Sequence, residues 1–176
     1  VDRLKAAIRG VPDFPKEGIV FRDITPVLAD HALLAETVEQ LAKPFRDRDV
    51  QVVVGTEARG FIFGPPVALA LGAGFVPIRK RGKLPCETFQ ATYDLEYGTD
   101  SLEMHRDAIA PGTRVLMVDD LLATGGTMKA CCDMVRAAGA KVLGCAFLVE
   151  LSFLGGRQAL EGDDIHALVD FASEQE

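Results

Sequence analysis

The run Val115-Leu116-Met117-Val118-Asp119-Asp120-Leu121-Leu122-Ala123-Thr124-Gly125-Gly126-Thr127 decides the architecture. Its apolar start does not alternate with polar residues, which predicts a strand over residues 113–118 buried on both faces. The strand runs into two acids and a turn of small residues. A helix is expected over residues 127–138, closed by Gly139.

Working outward, the same strand-then-helix pattern recurs. Residues 51–55 and 74–78 read as further buried strands, with a helix over 60–71 between them. Pro65 and Pro66 are expected in the first turns of that helix or at a kink. A strand over 141–151, a short helix near 155–160 and a strand near 165–169 finish the chain. At the other end, a short amphipathic helix with Leu4 and Ile8 on one face is expected to end near Gly10. A Pro- and Gly-rich loop, an extended stretch at 19–21 and a helical pattern over 31–48 follow it. Strands alternating with helices predict an α/β fold with a mostly parallel sheet flanked by helices. Ligands in such sheets bind at the carboxyl ends of the strands, so the loops at 55–60, 79–83 and 119–127 should surround one crevice.

The loop at 123–127 suits a phosphate. Free amides at a helix start and the positive end of the helix dipole attract an anion, and Gly125 and Gly126 allow close approach. A plain tight turn with Thr127 as a helix cap is the alternative. Asp119 and Asp120 disfavour that alternative: two carboxylates repel a bare anion, but they make sense if the ligand also offers a sugar diol, and they could stabilise positive charge developing on that sugar. The Gly-Lys-Ser/Thr ending of nucleotide triphosphate loops and the G-x-G-x-x-G of dinucleotide sites are both absent. Arg79, Lys80, Arg81 and Lys83 crowd four cations into five residues, which fits a multiply charged anion. A nucleic-acid patch competes with that reading, but the formal net charge of −7 opposes it.

The 115–127 run resembles the phosphoribosyl pyrophosphate-binding motif of type I phosphoribosyltransferases: an apolar strand, two acids and a T-G-G-T loop. Asp13-Phe14-Pro15, Gly18 to Ile24, Lys83-Leu84-Pro85, Tyr93 to Gly98 and Leu102 to His105 are similar to the adenine-specific branch of that family. The resemblance implies transfer of a phosphoribosyl group to adenine, giving AMP and pyrophosphate in purine salvage. It implies the type I phosphoribosyltransferase fold as one domain over residues 1–176, with a base-binding hood at about 1–30 and a mobile lid hairpin at about 81–104. Ala123, Thr124, Gly125, Gly126 and Thr127 would hold the 5′-phosphate, and Asp119 and Asp120 the ribose hydroxyls. Glu57, Ala58, Arg59, Arg79, Lys80 and Lys83 would meet the pyrophosphate. Phe21 would stack on adenine, with the backbone of Val20 and Arg22 and the side chain of Leu151 around it. Glu96 would be the general acid/base, Tyr97 would help to close the lid, and Asp120 would support catalysis from the ribose side. Relatives acting on 6-oxopurines place a carboxylate where this chain has Ala123, which argues against hypoxanthine or guanine; a different base such as xanthine is the nearest competing reading. Mg²⁺ is the implied cofactor, held mainly by substrate oxygens with no direct protein ligand. A homodimer is also implied.

A regulator that keeps the site only as a sensor should carry an added nucleic-acid module, for which 176 residues leave no room. No apolar run reaches membrane-span length, and the first residues show no apolar core of a signal peptide, so a cytoplasmic protein without a membrane partner is expected. Cys86, Cys131, Cys132 and Cys145 form no C-x-x-C pair and read as buried, reduced thiols rather than a zinc site.

Overall fold

The computed structural model describes residues 2–94 and 99–174. The chain opens with α1 (Asp2–Ala7), β1 (Arg9–Val11), β2 (Phe21–Asp23) and α2 (Thr25–Ala29). Next come α3 (His31–Ala42), a 3₁₀ turn at Lys43–Phe45, β3 (Val52–Thr56), α4 (Gly60–Leu71) and β4 (Gly74–Lys80). β5 (Thr88–Asp94) and β6 (Thr99–His105) precede β7 (Arg114–Leu122), α5 (Gly126–Ala137) and β8 (Lys141–Leu151). A 3₁₀ turn at Ser152–Leu154, α6 (Gly156–Ala159) and β9 (Ile165–Phe171) complete it.

Seven strands form the main sheet in the order β5-β6-β4-β3-β7-β8-β9. β4, β3, β7, β8 and β9 are parallel neighbours. β6 joins antiparallel to the end of β4 through Arg79↔Glu103 and Lys80↔Leu102, so the hairpin is an extension of the basic segment. β1 and β2 pair as a separate antiparallel ribbon.

The lack of alternation in the central strands has its cause in two cores. Leu116 and Val118 enter one core with Phe63 and Val67 of α4 and Leu33 and Leu41 of α3. Val115 and Met117 enter the other with Met128, Cys131, Cys132 and Val135 of α5. Each face must therefore be apolar.

Several boundaries differ from expectation, among them the helix expected over 31–48, which stops at Ala42 where the 3₁₀ turn with Pro44 begins. α1 stops at Ala7, because Arg9 to Val11 pair with Phe21 to Asp23 and Gly10 becomes a strand residue. The extended stretch accordingly begins at Phe21 rather than at residue 19. β7 continues through both acids to Leu122, since the long β8 keeps pairing beside it, Asp119↔Phe147 and Leu122↔Glu150. Pro65 and Pro66 lie inside α4, in its second turn.

Two glycines make room for one ring between α4 and β4. A Cβ on Gly64 would stand 2.4 Å from Phe75 Cε2, and one on Gly55 would stand 2.9 Å from the same atom. Gly64→Ala is expected to destabilise the protein by about 1–2 kcal/mol, overpacking outweighing the gain in helix propensity. Urea unfolding measures it; equal midpoints in the two proteins would contradict the packing argument.

Candidate active site

At the carboxyl ends of β3, β4 and β7 lies a crevice of about 370 Å³, lined by residues 56–59, Lys80 and residues 119–128. The three loops expected around one crevice thus meet there.

The phosphate loop is built by one residue conformation. Gly125 sits at φ 81°, ψ −9°, directly before α5, and no side chain caps the helix. Thr127 is therefore not the cap that a plain turn would need. The first amides of a helix have no intrahelical acceptor, so those at the start of α5 are available to a ligand.

Asp119 and Asp120 line the same crevice. The Asp120 backbone N–H donates to Asp119 Oδ1 at 2.9 Å. Burial pushes the Asp119 carboxyl well above the usual carboxylate range, and the neighbouring Asp120 charge adds to the rise. Burial also raises Asp120, against the opposing pull of Arg59. Two carboxylates so placed gain from any ligand that donates hydrogen bonds. Gly60 permits the approach of α4: a Cβ there would lie 3.0 Å from Asp119 Oδ1 and 3.1 Å from the Val118 carbonyl oxygen. The positive end of α4 thereby faces the acids.

Arg59 pairs with Asp120, Nε to Oδ2 at 2.9 Å, and its guanidinium lies 5.3 Å from the Phe21 ring centroid. Through that contact the N-terminal ribbon reaches the crevice. Phe14, half exposed, meets Phe21 edge-on at 5.2 Å between centroids. Val20 is half-buried beside it. The Arg22 side chain turns elsewhere: it stacks over Phe171 at 4.0 Å and donates to the carbonyls of Ser173 and Glu174. Leu151 ends β8 opposite Phe171 and is not part of the crevice lining.

The basic cluster is divided by a brace that the sequence reading missed. Arg79 Nε and Nη2 donate to the two oxygens of Glu57 at 3.1 and 3.2 Å, and the Lys80 backbone N–H donates to Glu57 Oε2 at 3.1 Å. The Arg79 guanidinium holds Glu57 below its ordinary pKa. Glu57 and Arg79 therefore tie the loop after β3 to the end of β4, and the self-repulsion of the cluster is partly offset within the protein. Lys80 lines the crevice; Lys83 is exposed and its carbonyl receives Arg79 Nη1 at 3.3 Å. The Glu57–Ala58 peptide is cis.

Glu103 is a second missed residue. Buried on β6, it accepts from the Gly82 backbone N–H at 2.9 Å and from Gln90 Nε2 at 3.2 Å, anchoring the basic turn to the hairpin. Leu102-Glu103-Met104 reads locally as an ordinary alternation, so only the fold exposes the role. Glu96 and Tyr97 lie outside the described residues.

Three thiols are buried as expected, but Cys86 is exposed. Cys131 Sγ lies 3.5 Å from Thr56 Oγ1, and burial pushes its thiol up to about 12. Cys132 and Cys145 face each other with 3.7 Å between sulfurs, and the Cys145 thiol is raised by that contact and by burial. The raised Cys131 and Cys145 thiols stay protonated, and all three buried sulfurs serve as packing.

The comparisons agree with this geometry. A model of the phosphoribosyl transferase domain matches residues 26–171. The adenine phosphoribosyltransferase of Nitrosococcus oceani is 54% identical over 171 residues, covering 97% of this chain and 100% of the relative. The crystal structure of the adenine phosphoribosyltransferase from Thermoanaerobacter pseudethanolicus superposes with a TM-score of 0.93 at 53% identity, covering 97% of this chain and 99% of that one. The Saccharomyces cerevisiae enzyme, crystallised with adenine and D-2,5-dideoxy-2,5-imino-altritol 1,6-bisphosphate, superposes at 0.90 with 43% identity over 95% of this chain and 97% of its own. A crevice with an uncapped, glycine-led helix start facing two acids, on a chain so similar along its length, belongs to the phosphoribosyltransferase family and, within it, to the adenine phosphoribosyltransferases.

Proposed function

We propose the following division of labour for the transfer of the phosphoribosyl group to adenine. The 5′-phosphate sits on Ala123, Thr124, Gly125, Gly126 and Thr127, where backbone N–H groups and two hydroxyls meet its charge. Asp119 and Asp120 accept hydrogen bonds from the ribose hydroxyls and stabilise the positive charge that develops at C1 as pyrophosphate departs. Arg59 leaves Asp120 as the ribose arrives and turns to the pyrophosphate. Ala58 and the loop that Glu57 and Arg79 brace give the pyrophosphate backbone contacts, and Lys80 and Lys83 share its charge. The single observation that carries this reading is the uncapped start of α5 at Gly125 beside the Asp119–Asp120 pair.

Adenine enters under Phe21, with the Val20 and Arg22 backbone along its edge, and Leu151, outside the crevice lining, borders the base pocket. The yeast relative's complex with adenine and an imino-altritol bisphosphate supports a joint site for base and phosphorylated sugar. Residues 1–30 act as the hood and residues 81–104 as the lid of one domain. Glu96 manages the proton on the imidazole part of the purine, and Tyr97 helps exclude water that would hydrolyse the activated sugar. Glu96→Gln is expected to lower kcat by about 100-fold while changing the phosphoribosyl pyrophosphate KM less than about threefold. Equal effects on both constants, by steady-state kinetics, would count against the assignment.

Asp119 and Asp120, the buried acids of the crevice, are committed to the ribose, and Mg²⁺ would be carried mainly by substrate oxygens. When bound on pyrophosphate oxygens, the ion neutralises the leaving group. The chain acts as a homodimer in the cytoplasm; exposed Ile62 and Leu69 on α4 offer apolar surface to a second copy, and among the described residues no helix is long and apolar enough to cross a membrane. Adenine with phosphoribosyl pyrophosphate should yield AMP with Mg²⁺ and none after chelation. Undiminished AMP formation in the chelated sample would overturn the metal assignment, and no AMP in either would overturn the whole reading.

A further inference from the structure

Segment 155–160 lines no part of the crevice, yet it packs against the phosphate loop at two glycines where an added Cβ would not fit. A Cβ on Gly125 would stand 2.4 Å from the Gly156 carbonyl oxygen and 2.9 Å from Ala159 Cβ. Reciprocally, a Cβ on Gly156 would stand 2.2 Å from the Ala123 carbonyl oxygen and 2.9 Å from Leu122 Cδ1. The two carbonyl contacts, Gly125 with Gly156 and Gly156 with Ala123, are backbone against backbone, where neither side can yield by rotating a side chain. The position of residues 123–125 is therefore set by the position of α6.

α6 is a single turn of four residues and cannot hold its own place. Arg157 holds it. Its Nε and Nη2 donate to the two oxygens of Glu150 at 2.8 and 2.7 Å, and Nη1 donates to the Ile165 carbonyl at 3.3 Å. Glu150 is buried near the end of β8, in register with Leu122, the last residue of β7 before the loop. Leu160, buried in the same core as Leu122 and Met128, secures the other end. Loop and brace are thus referenced to the same pair of strands.

We infer that Arg157 is a positioning residue for the 5′-phosphate, acting through Gly156: its fork on Glu150 fixes α6, and α6 fixes the loop amides. It touches no substrate. The inference rests on the reading of residues 123–127 as the phosphate seat.

AMP and adenosine differ by the phosphate alone, so the ratio of their inhibition constants isolates the loop from folding and base binding. Arg157→Gln is expected to weaken AMP by about tenfold while leaving adenosine within about twofold, because small misplacement of positioned donors costs this much. The phosphoribosyl pyrophosphate KM should rise by a similar factor at unchanged adenine KM. Arg157→Lys keeps the charge but not the two-pronged geometry, and should recover only part of the loss; it also makes the comparison if the Gln variant does not fold. Thr127→Val, a change in the loop itself, serves as reference. A ratio altered by Thr127→Val but not by either Arg157 variant would overturn the role of Arg157 alone. A ratio altered by none of them would overturn the phosphate seat, and this inference with it.

Discussion

Gly125→Ala should lower kcat/KM for phosphoribosyl pyrophosphate by on the order of 100-fold, the loss expected when aimed donors leave a developing charge. Two independent costs act at this residue. Its φ of 81° is one that an L side chain adopts at roughly 1 kcal/mol or more. The added methyl would also meet the Gly156 carbonyl oxygen at 2.4 Å. The loop must turn or shift to relieve both, and its amides then point elsewhere. Gly126 is the internal control. A Cβ there meets nothing within 4 Å, so Gly126→Ala should leave stability unchanged or slightly raised. Any loss of activity in that variant reports on ligand space rather than on protein packing. Steady-state kinetics and thermal melts of the two variants separate the cases; full activity of Gly125→Ala would show that the loop geometry is not used.

Asp119→Asn should cut kcat by about 100- to 1000-fold and yet stabilise the ligand-free protein at neutral pH. The sign follows from the raised carboxyl. Its ordinary value is 3.8, and burial with the Asp120 charge lifts it well above that in the fold. Between the two values the folded state binds more protons than the unfolded chain, so stability falls as pH rises through that window. Above it the penalty is fully present, and below the ordinary value it is absent. An uncharged Asn removes the penalty and can still accept from the Asp120 N–H. For a gain of about 1 kcal/mol, the melting midpoint at pH 7 should rise by about 2–4 °C. The gap between variant and parent should close as the pH is lowered toward 3.8. A lower midpoint at pH 7 would mean that the carboxylate is stabilised rather than strained by its surroundings.

The parts of this account that were legible in the sequence share a physical property: each is local. The unalternated apolar runs of β3, β7 and β8 report burial on two faces, and the T-G-G-T run reports a turn that only glycine can make. The span of α4 and that of β8 match the pattern residue for residue. What stayed hidden is pairing across distance. Glu57 and Arg79 are separated by 22 positions, and nothing in either neighbourhood says that the acid takes one of the four clustered cations. Glu103 is buried by a turn from a different strand end. Gly155-Gly156-Arg157 reads as the start of a short helix, and nothing in it says that the fold sets it against the phosphate loop. The end of α1 at Ala7 has the same cause, since β1 exists only because β2 is there to pair with it.

A crystal structure of the protein with AMP tests the central claim most directly. Phosphate oxygens should lie within hydrogen-bond distance of the amides at 124–127, with both ribose hydroxyls on the Asp119 and Asp120 carboxylates and Arg59 released from Asp120. A phosphate bound away from α5, with Arg59 still paired to Asp120 and the ribose facing neither acid, would contradict it.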